Sequence, residues 1–338
     1  MLRLFKTRVK DASMNLKSDK LMSLSKAVAR FVPDGAHLSI GGFTINRNPM
    51  AAVYEIIRQK KRHLHLYAHS NGQGVDELVG AGCVDKLEIA YAGSGRFAPT
   101  CIRFRKRVES GALMVEDYTN YQMTLRFMAG AMGVPFLPTR SSLGSDIIKR
   151  WGFSEKVRQA DPRLPDHKLV VVDNPFEGWG EIDRVVLVPA VNPDVTILHV
   201  QTADRQGTAR IDGLPFADVE QAKAARHLIV TCETVVEPDC LRRAPDHNQI
   251  PFFCVNAVVH VPMGAYPTAC YRHYDYDPVR LHHYRQAALD EARYQDYLSD
   301  EILTPCTHAQ MMARIDPRQL AKIKADPQTG YAVEMDRR

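Results

Sequence analysis

Two short turns carry the residues of this chain best suited to chemistry. Residues 37–49 read His-Leu-Ser-Ile-Gly-Gly-Phe-Thr-Ile-Asn-Arg-Asn-Pro. The apolar run at 37–40 predicts a strand, and the proline opens a helix. Gly41 and Gly42 lack the Cβ that would keep a ligand off the backbone. At the end of such a strand the N–H groups of Gly41, Gly42 and Phe43 are placed to face an anion or a polarised carbonyl. A pair of glycines also serves as an ordinary tight turn. Asn46 and Arg47 follow, and an arginine here either grips a substrate carboxylate bidentately or forms a surface ion pair at the helix start. The second turn, His69-Ser70-Asn71-Gly72, ends an alternating strand that begins at Leu64. A serine nucleophile needs a general base, and no Ser-His-Asp constellation is evident. Neighbours on a strand point to opposite faces, so His69 does not serve Ser70. Ser70 and Asn71 therefore read as substrate contacts or as turn residues that bond their own backbone.

Positioning these turns requires a βαβ unit. The helix expected from Pro49 to about Arg62 lies between strands at 37–40 and 64–68, so both turns belong to one edge of a parallel sheet. Ser23 is a candidate cap for a helix through Val32, with Leu24, Ala27, Val28 and Phe31 on one face. Helices are expected near 75–79, 99–109, 121–132 and 216–225. Strands are expected at 87–92, 112–116, 169–172, 184–188, 195–199, 227–232 and 252–261. The succession predicts an α/β fold: a mostly parallel open sheet with helices on both faces. Residues 134–184, with five prolines, read as a loop-rich insertion or small lobe. The Tyr- and Arg-rich helix from Asp277 to about Leu298 reads as a surface or interface element. Residues 1–20 read as a basic extension, 21–300 as the main domain, and 306–338 as a tail.

Composition narrows the function classes. A net charge of +5 over 338 residues is not the concentrated basic stripe of a dedicated nucleic-acid binder. The basic clusters at 60–62 and 103–107 fit solvated helix faces, or phosphate contacts as the lesser alternative. Seven scattered cysteines form no CxxC pair and no zinc spacing, so no metal is expected and the thiols read as reduced. No apolar run is long enough to cross a membrane. A cytoplasmic protein with neither nucleic-acid nor membrane partner is expected.

The motif wording adds what spacing cannot. Phe43, Asn46, Arg47 and Pro49 after the paired glycines, Glu116-Asp117-Tyr118-Thr119-Asn120-Tyr121, the run Arg126–Ala131, Pro135–Pro138 and Leu143–Asp146 together resemble family I CoA-transferases, in the branch of the glutaconate CoA-transferase A subunit. The resemblance covers roughly residues 20–300. It implies a fold of the CoA-transferase and ribose-5-phosphate isomerase type, with a homologous B subunit in an (AB)2 or larger assembly. It also implies a CoA thioester as substrate, with no permanently bound cofactor. In the family the B half carries a Ser-Glu-Asn-Gly turn whose glutamate attacks the acyl-CoA. Ser70 stands at the corresponding place here, so the resemblance puts no catalytic nucleophile in this chain. It assigns Gly41, Gly42, Phe43, Asn46, Arg47, His69, Ser70 and Asn71 to oxyanion and substrate binding. The implied reaction moves CoA from a short acyl-CoA such as acetyl-CoA to a dicarboxylate such as glutaconate. A CoA-ester ring-opening hydrolase or a glutaconyl-CoA-type decarboxylase is the alternative on this fold. For ring opening an acidic residue is expected about where Asn120 stands.

Overall fold

Continuous burial along the middle strands, with alternate residues entering different cores, shows how the chain builds its layers. The computed structural model describes residues 19–150, 152–176, 183–333, 335 and 337. The first strands are β1 (His37–Ile40), β2 (Phe43–Thr44), β3 (Leu64–Asn71), β4 (Val84–Ala92) and β5 (Met114–Asp117). Next come β6 (Phe136–Thr139), β7 (Val170–Asp173), β8 (Arg184–Pro189), β9 (Val195–Asp204), β10 (Ala209–Arg210), β11 (His227–Val236) and β12 (Ala257–His260). The main sheet runs β12-β11-β9-β1-β3-β4-β5, with short β2 on β3 and β10 on β9. Every neighbouring pair in that order is parallel.

Along β9, Val195 and Ile197 enter one core while Leu198 and Val200 enter another. Strands buried on both faces need helices on both sides, and the chain supplies them. The helices Leu24–Phe31, Met50–Arg58, Gln73–Gly80 and Ile102–Glu109 lie on the face of the larger core. The helix Asn120–Met132 packs with the helix Asp218–Ala224 on the other. Ser23 caps the first helix by accepting from the Lys26 N–H. Thr119 and Gln122 form a capping box at Asn120–Met132, which ends at left-handed Gly133. Among the described residues no helix is long and apolar enough to span a membrane, and all seven cysteines are free of disulfides.

The structure differs from the sequence expectations in several places. β3 continues to Asn71 because its end pairs with β2 and β4: Ser70 lies opposite Phe43 and Tyr91. The expected second turn is thus the end of a strand, and only Gly72 turns. Within 134–184 the chain forms part of a second, antiparallel sheet, β6-β8-β7, and the helix Glu155–Ala160. The strand expected over 252–261 begins as a 3-10 turn at Phe252–Cys254 and is extended only over β12. Of the expected N-terminal extension, residues 1–18 lie outside the described residues. Where a tail was expected, the helices His308–Met312 and Pro317–Ile323 bury Met311 and Ile323 against the larger core.

The expected interface helix is the clearest correction. It is two helices, Pro278–Leu289 and Glu291–Tyr297, broken at Asp290, which caps the second. Their tyrosines are core residues serving buried carboxylates. Tyr284 donates to Asp76 at 2.8 Å and Tyr297 to Glu77 at 2.7 Å. Asp76 also accepts from the N–H groups of Ile102 and Phe104, capping a helix whose own N-cap, Cys101, has no capping side chain. Burial pushes Asp76 up to about 6 and Glu77 up to about 7.

These two acids bind protons in the folded chain that the unfolded chain has released. Their stabilising contribution is therefore complete below about pH 4 and is lost as pH rises to about 7. Glu77→Gln removes one such group. Between pH 5 and 8 the wild type should lose about 2–3 kcal/mol more than Glu77→Gln in denaturant unfolding. Parallel stability profiles for the two proteins would refute the assignment.

Candidate functional site

The carboxyl ends of β1 and β3 meet where the two motif segments were expected to meet. Asn71 ties them together: its side-chain amide donates to Gly41 O at 3.0 Å, and its carbonyl accepts the Val75 N–H at 3.1 Å. Gly72 N–H donates to Thr44 O. The loop from Gly41 to Asn48 is held tightly against a residue from far along the chain. Asp218, fully buried at the start of its helix, accepts the Gly42 N–H at 2.9 Å through Oδ1. Its Oδ2 accepts from Arg47 at 2.7 Å. The same guanidinium donates to the backbone carbonyls of Leu214 and His199.

This arrangement corrects the expected roles of the first loop. All three N–H groups expected as open donors are used inside the chain: Gly41 with Ile197 O, Gly42 with Asp218, and Phe43 with Asn46 O. The glycines are required by packing. A Cβ on Gly41 would stand 2.3 Å from Leu198 Cδ2, and one on Gly42 would stand 2.6 Å from the Arg47 carbonyl oxygen. Gly42 also has φ +87°, a region that glycine occupies without strain. Arg47, 3% exposed, is neither a surface ion pair nor free to take a substrate carboxylate. Its charge is matched by Asp218, and its hydrogen bonds stay within the chain.

Ser70 and Asn71 are likewise interior, and both are fully buried. The Ser70 hydroxyl donates to Asn120 Oδ1 at 2.5 Å. His69 Nε2 donates to the Asn120 carbonyl at 3.0 Å. Its Nδ1 has no partner among the described residues. Burial lowers the His69 pKa, so the neutral ring keeps a lone pair at Nδ1.

What remains open on this edge is an aromatic wall and one amide. The Phe43 and Phe216 rings stack at 4.6 Å, with His69 5.7 Å from Phe43. Half-buried Asn46 has no side-chain partner among the described residues, although its backbone is fixed by Phe43 and Asn48. Thr44, Arg47 and Phe216 all have left-handed backbones, at φ 48°, 51° and 51°. Such strain costs about 1–3 kcal/mol per residue and collects where the surroundings fix a loop for a purpose.

Reading the sequence missed Asp218 and the buried group behind Arg47. There His199 pairs with Glu233 at 2.7 Å and with Thr231 at 2.9 Å. Tyr274 and the N–H groups of Met263 and Gly264 also donate to Glu233. With Cys270 nearby this set has metal-type ligands, but Glu233 and both His199 nitrogens already carry hydrogen bonds. A second set, His37, His65 and Asp161, lies at the opposite ends of β1 and β3. There Arg163 holds both oxygens of Asp161. The signal for Asp218 was present but weak: an acid two residues after Phe216, in the first turn of a helix that also carries Glu220 and Lys223.

The Glu116-Asp117 pair has a structural occupation. Glu116 accepts from Arg158, from the Phe153 N–H and from Tyr118. Asp117 accepts from Lys168 at 2.7 Å.

Comparison with known proteins places this geometry. A model of the coenzyme A transferase family matches residues 21–261. The glutaconate CoA-transferase A subunit of Acidaminococcus fermentans is 37% identical over 316 residues, which is 94% of this chain and 98% of that one. The 3-oxoadipate CoA-transferase A subunit of Pseudomonas knackmussii is 32% identical over 299 residues, covering 88% and 98%. The crystal structure of the Acidaminococcus glutaconate coenzyme A-transferase superimposes with a TM-score of 0.89 at 36% identity. It covers 93% of this chain and 98% of that one.

Proposed function

Because the chain belongs to the coenzyme A transferase family, as an A subunit of the glutaconate CoA-transferase type, we propose that it works with a B subunit to move CoA from a short acyl-CoA, such as acetyl-CoA, to a dicarboxylate such as glutaconate. The observation that carries this reading is the end of β3. It presents His69-Ser70-Asn71, with no carboxylate, and the serine hydroxyl is already committed to Asn120. The nucleophilic glutamate then comes from the partner. Its carboxylate attacks the thioester carbonyl and expels CoA thiolate, leaving a mixed anhydride. The thiolate attacks the glutamyl carbonyl and releases the donor acid, which yields a glutamyl-CoA thioester. Attack by the acceptor carboxylate and return of the thiolate complete the transfer and free the glutamate.

This chain supplies one wall of that site. The stacked Phe43 and Phe216 face the acyl group, the Asn46 amide donates to a substrate oxygen, and His69 lies beside them. Gly41, Gly42, Arg47, Ser70 and Asn71 act at one remove, by fixing the loop. CoA enters as substrate rather than as a bound cofactor, and the protein is cytoplasmic.

The test is a thioester assay with acetyl-CoA and glutaconate, run on this chain alone and co-purified with its B subunit. Glutaconyl-CoA should form only in the complex and without release of free CoA. Full activity from the lone chain would refute a nucleophile supplied by the partner. Release of CoA or loss of CO2 in place of transfer would favour the hydrolase or decarboxylase alternative.

A further inference from the structure

A groove of about 950 Å³ opens beside the same edge of the sheet, between the turn Gly95–Phe97 that follows β4 and the helix Pro278–Leu289. Its volume lies within the roughly 300–1,000 Å³ range of small-molecule sites. Its charged lining is of one sign, Arg96, Arg105 and Arg285, with the His282 ring beside them, and no carboxylate lines it. Arg285 is half-buried and has no hydrogen bond or ion pair among the described residues. The only ion pair of Arg105 there is a 3.8 Å contact with exposed Glu109. Arg96 lies over the Phe97 ring at 5.3 Å, giving the groove a flat aromatic and cationic floor. Val279, 63% exposed, and Leu289, 44% exposed, add apolar surface.

Arginines gathered around an aromatic surface suit a ligand with phosphates and a planar base. The groove is also tied to the candidate site, since the Gly93 N–H donates to the Asn71 carbonyl at 3.2 Å. The basic cluster at 103–107 divides accordingly. Arg103 is buried, pairs with Glu291 and covers Tyr294, whereas Arg105 faces the groove.

We propose that this groove binds the adenosine 3′-phosphate 5′-diphosphate end of the CoA thioester, so that this chain grips the nucleotide while the acyl end lies at Phe43 and Asn46. The inference rests on the CoA-transferase reading. The phosphates meet Arg105 and Arg285, and the adenine lies beside Phe97. Binding energy taken up this far from the reacting bond can be used at the thioester.

The experiment compares the co-purified wild-type complex with an Arg105→Gln/Arg285→Gln double variant. The donors are acetyl-CoA and acetyl-pantetheine, which lacks the nucleotide. Loss of two charge-assisted contacts should lower kcat/KM for acetyl-CoA by about tenfold to a hundredfold, with acetyl-pantetheine unchanged. Calorimetric titration with adenosine 3′,5′-bisphosphate should show a similar loss of affinity. Equal loss with both donors, or no loss with either, would overturn the proposal. So would failure of the double variant to co-purify with its partner chain, which would make the groove a protein contact. The titration does not depend on turnover. A complex that transfers nothing to glutaconate yet shows this loss would refute the proposed reaction and leave the groove assignment standing.

Discussion

Asp218→Asn is expected to reduce transfer activity of the complex by about a hundredfold and to destabilise the chain by about 3–5 kcal/mol. The two effects have different origins. Asn Oδ1 can still accept the Gly42 N–H, but the amide nitrogen turned toward Arg47 sets donor against donor and leaves a buried guanidinium without its counter-charge. Breaking one side of such a pair costs more than the pair itself contributes. The activity effect comes from geometry. Asp218 joins the Gly42 loop to the segment that carries Phe216, and Thr44, Arg47 and Phe216 are all held in left-handed conformations around it. A loop held under strain relaxes when its pin is removed. A displacement of about 1 Å at a reacting centre is enough to cost about a hundredfold in rate.

The Asp218→Asn/Arg47→Met double variant separates the two effects. With no buried charge left, denaturant unfolding should recover most of the stability while activity stays low, because the loop is still unpinned. Full recovery of activity in the double variant would mean that Asp218 acts only through folding. An active, stable Asp218→Asn protein would show that the pin is not needed.

The architecture was readable because it rests on local periodicity. Alternating strands, a Ser23 cap and a Pro49 helix start each declare themselves within a few residues, and their order forces a parallel sheet. The site was readable only as a place. Gly41 and Gly42 announce that something approaches the backbone closely, but the sequence does not say whether it is a substrate or Asp218, 176 residues away. Arg47 looks free in one dimension for the same reason. The tyrosines around 271–297 show a further limit. Amphipathic side chains on a polar helix read as surface until the buried acids they serve, Asp76 and Glu77, are known. The run Arg126–Ala131 carries the family likeness for structural reasons. Gly130 admits the Val191 carbonyl, which a Cβ would meet at 2.2 Å, and Arg126 is a buried charge.

That buried charge gives the second large effect. Arg126, 1% exposed, donates to Glu88 and to the Pro189 carbonyl, and its guanidinium lies 4.2 Å from the centre of the Tyr118 ring. Glu88 also faces His65 at 2.8 Å. Burial alone would raise the Glu88 pKa, but Arg126, with His65, outweighs it and holds the group at about 2. Stability from this lowered pKa is present above about pH 4.5 and is lost as pH falls toward 2. Arg126→Met keeps the bulk and removes the charge, so it should cost about 3–5 kcal/mol at pH 7. The penalty should shrink in acid, because Glu88 without its main counter-charge takes up a proton at a higher pH. Adding Glu88→Gln to Arg126→Met should return most of the loss at pH 7, since the uncompensated carboxylate is what costs stability. Denaturant unfolding of the wild type, Arg126→Met, Glu88→Gln and the double variant at pH 7 and pH 4.5 measures both terms. A double variant no better than Arg126→Met alone would instead assign the cost to the lost contacts with Tyr118 and Pro189.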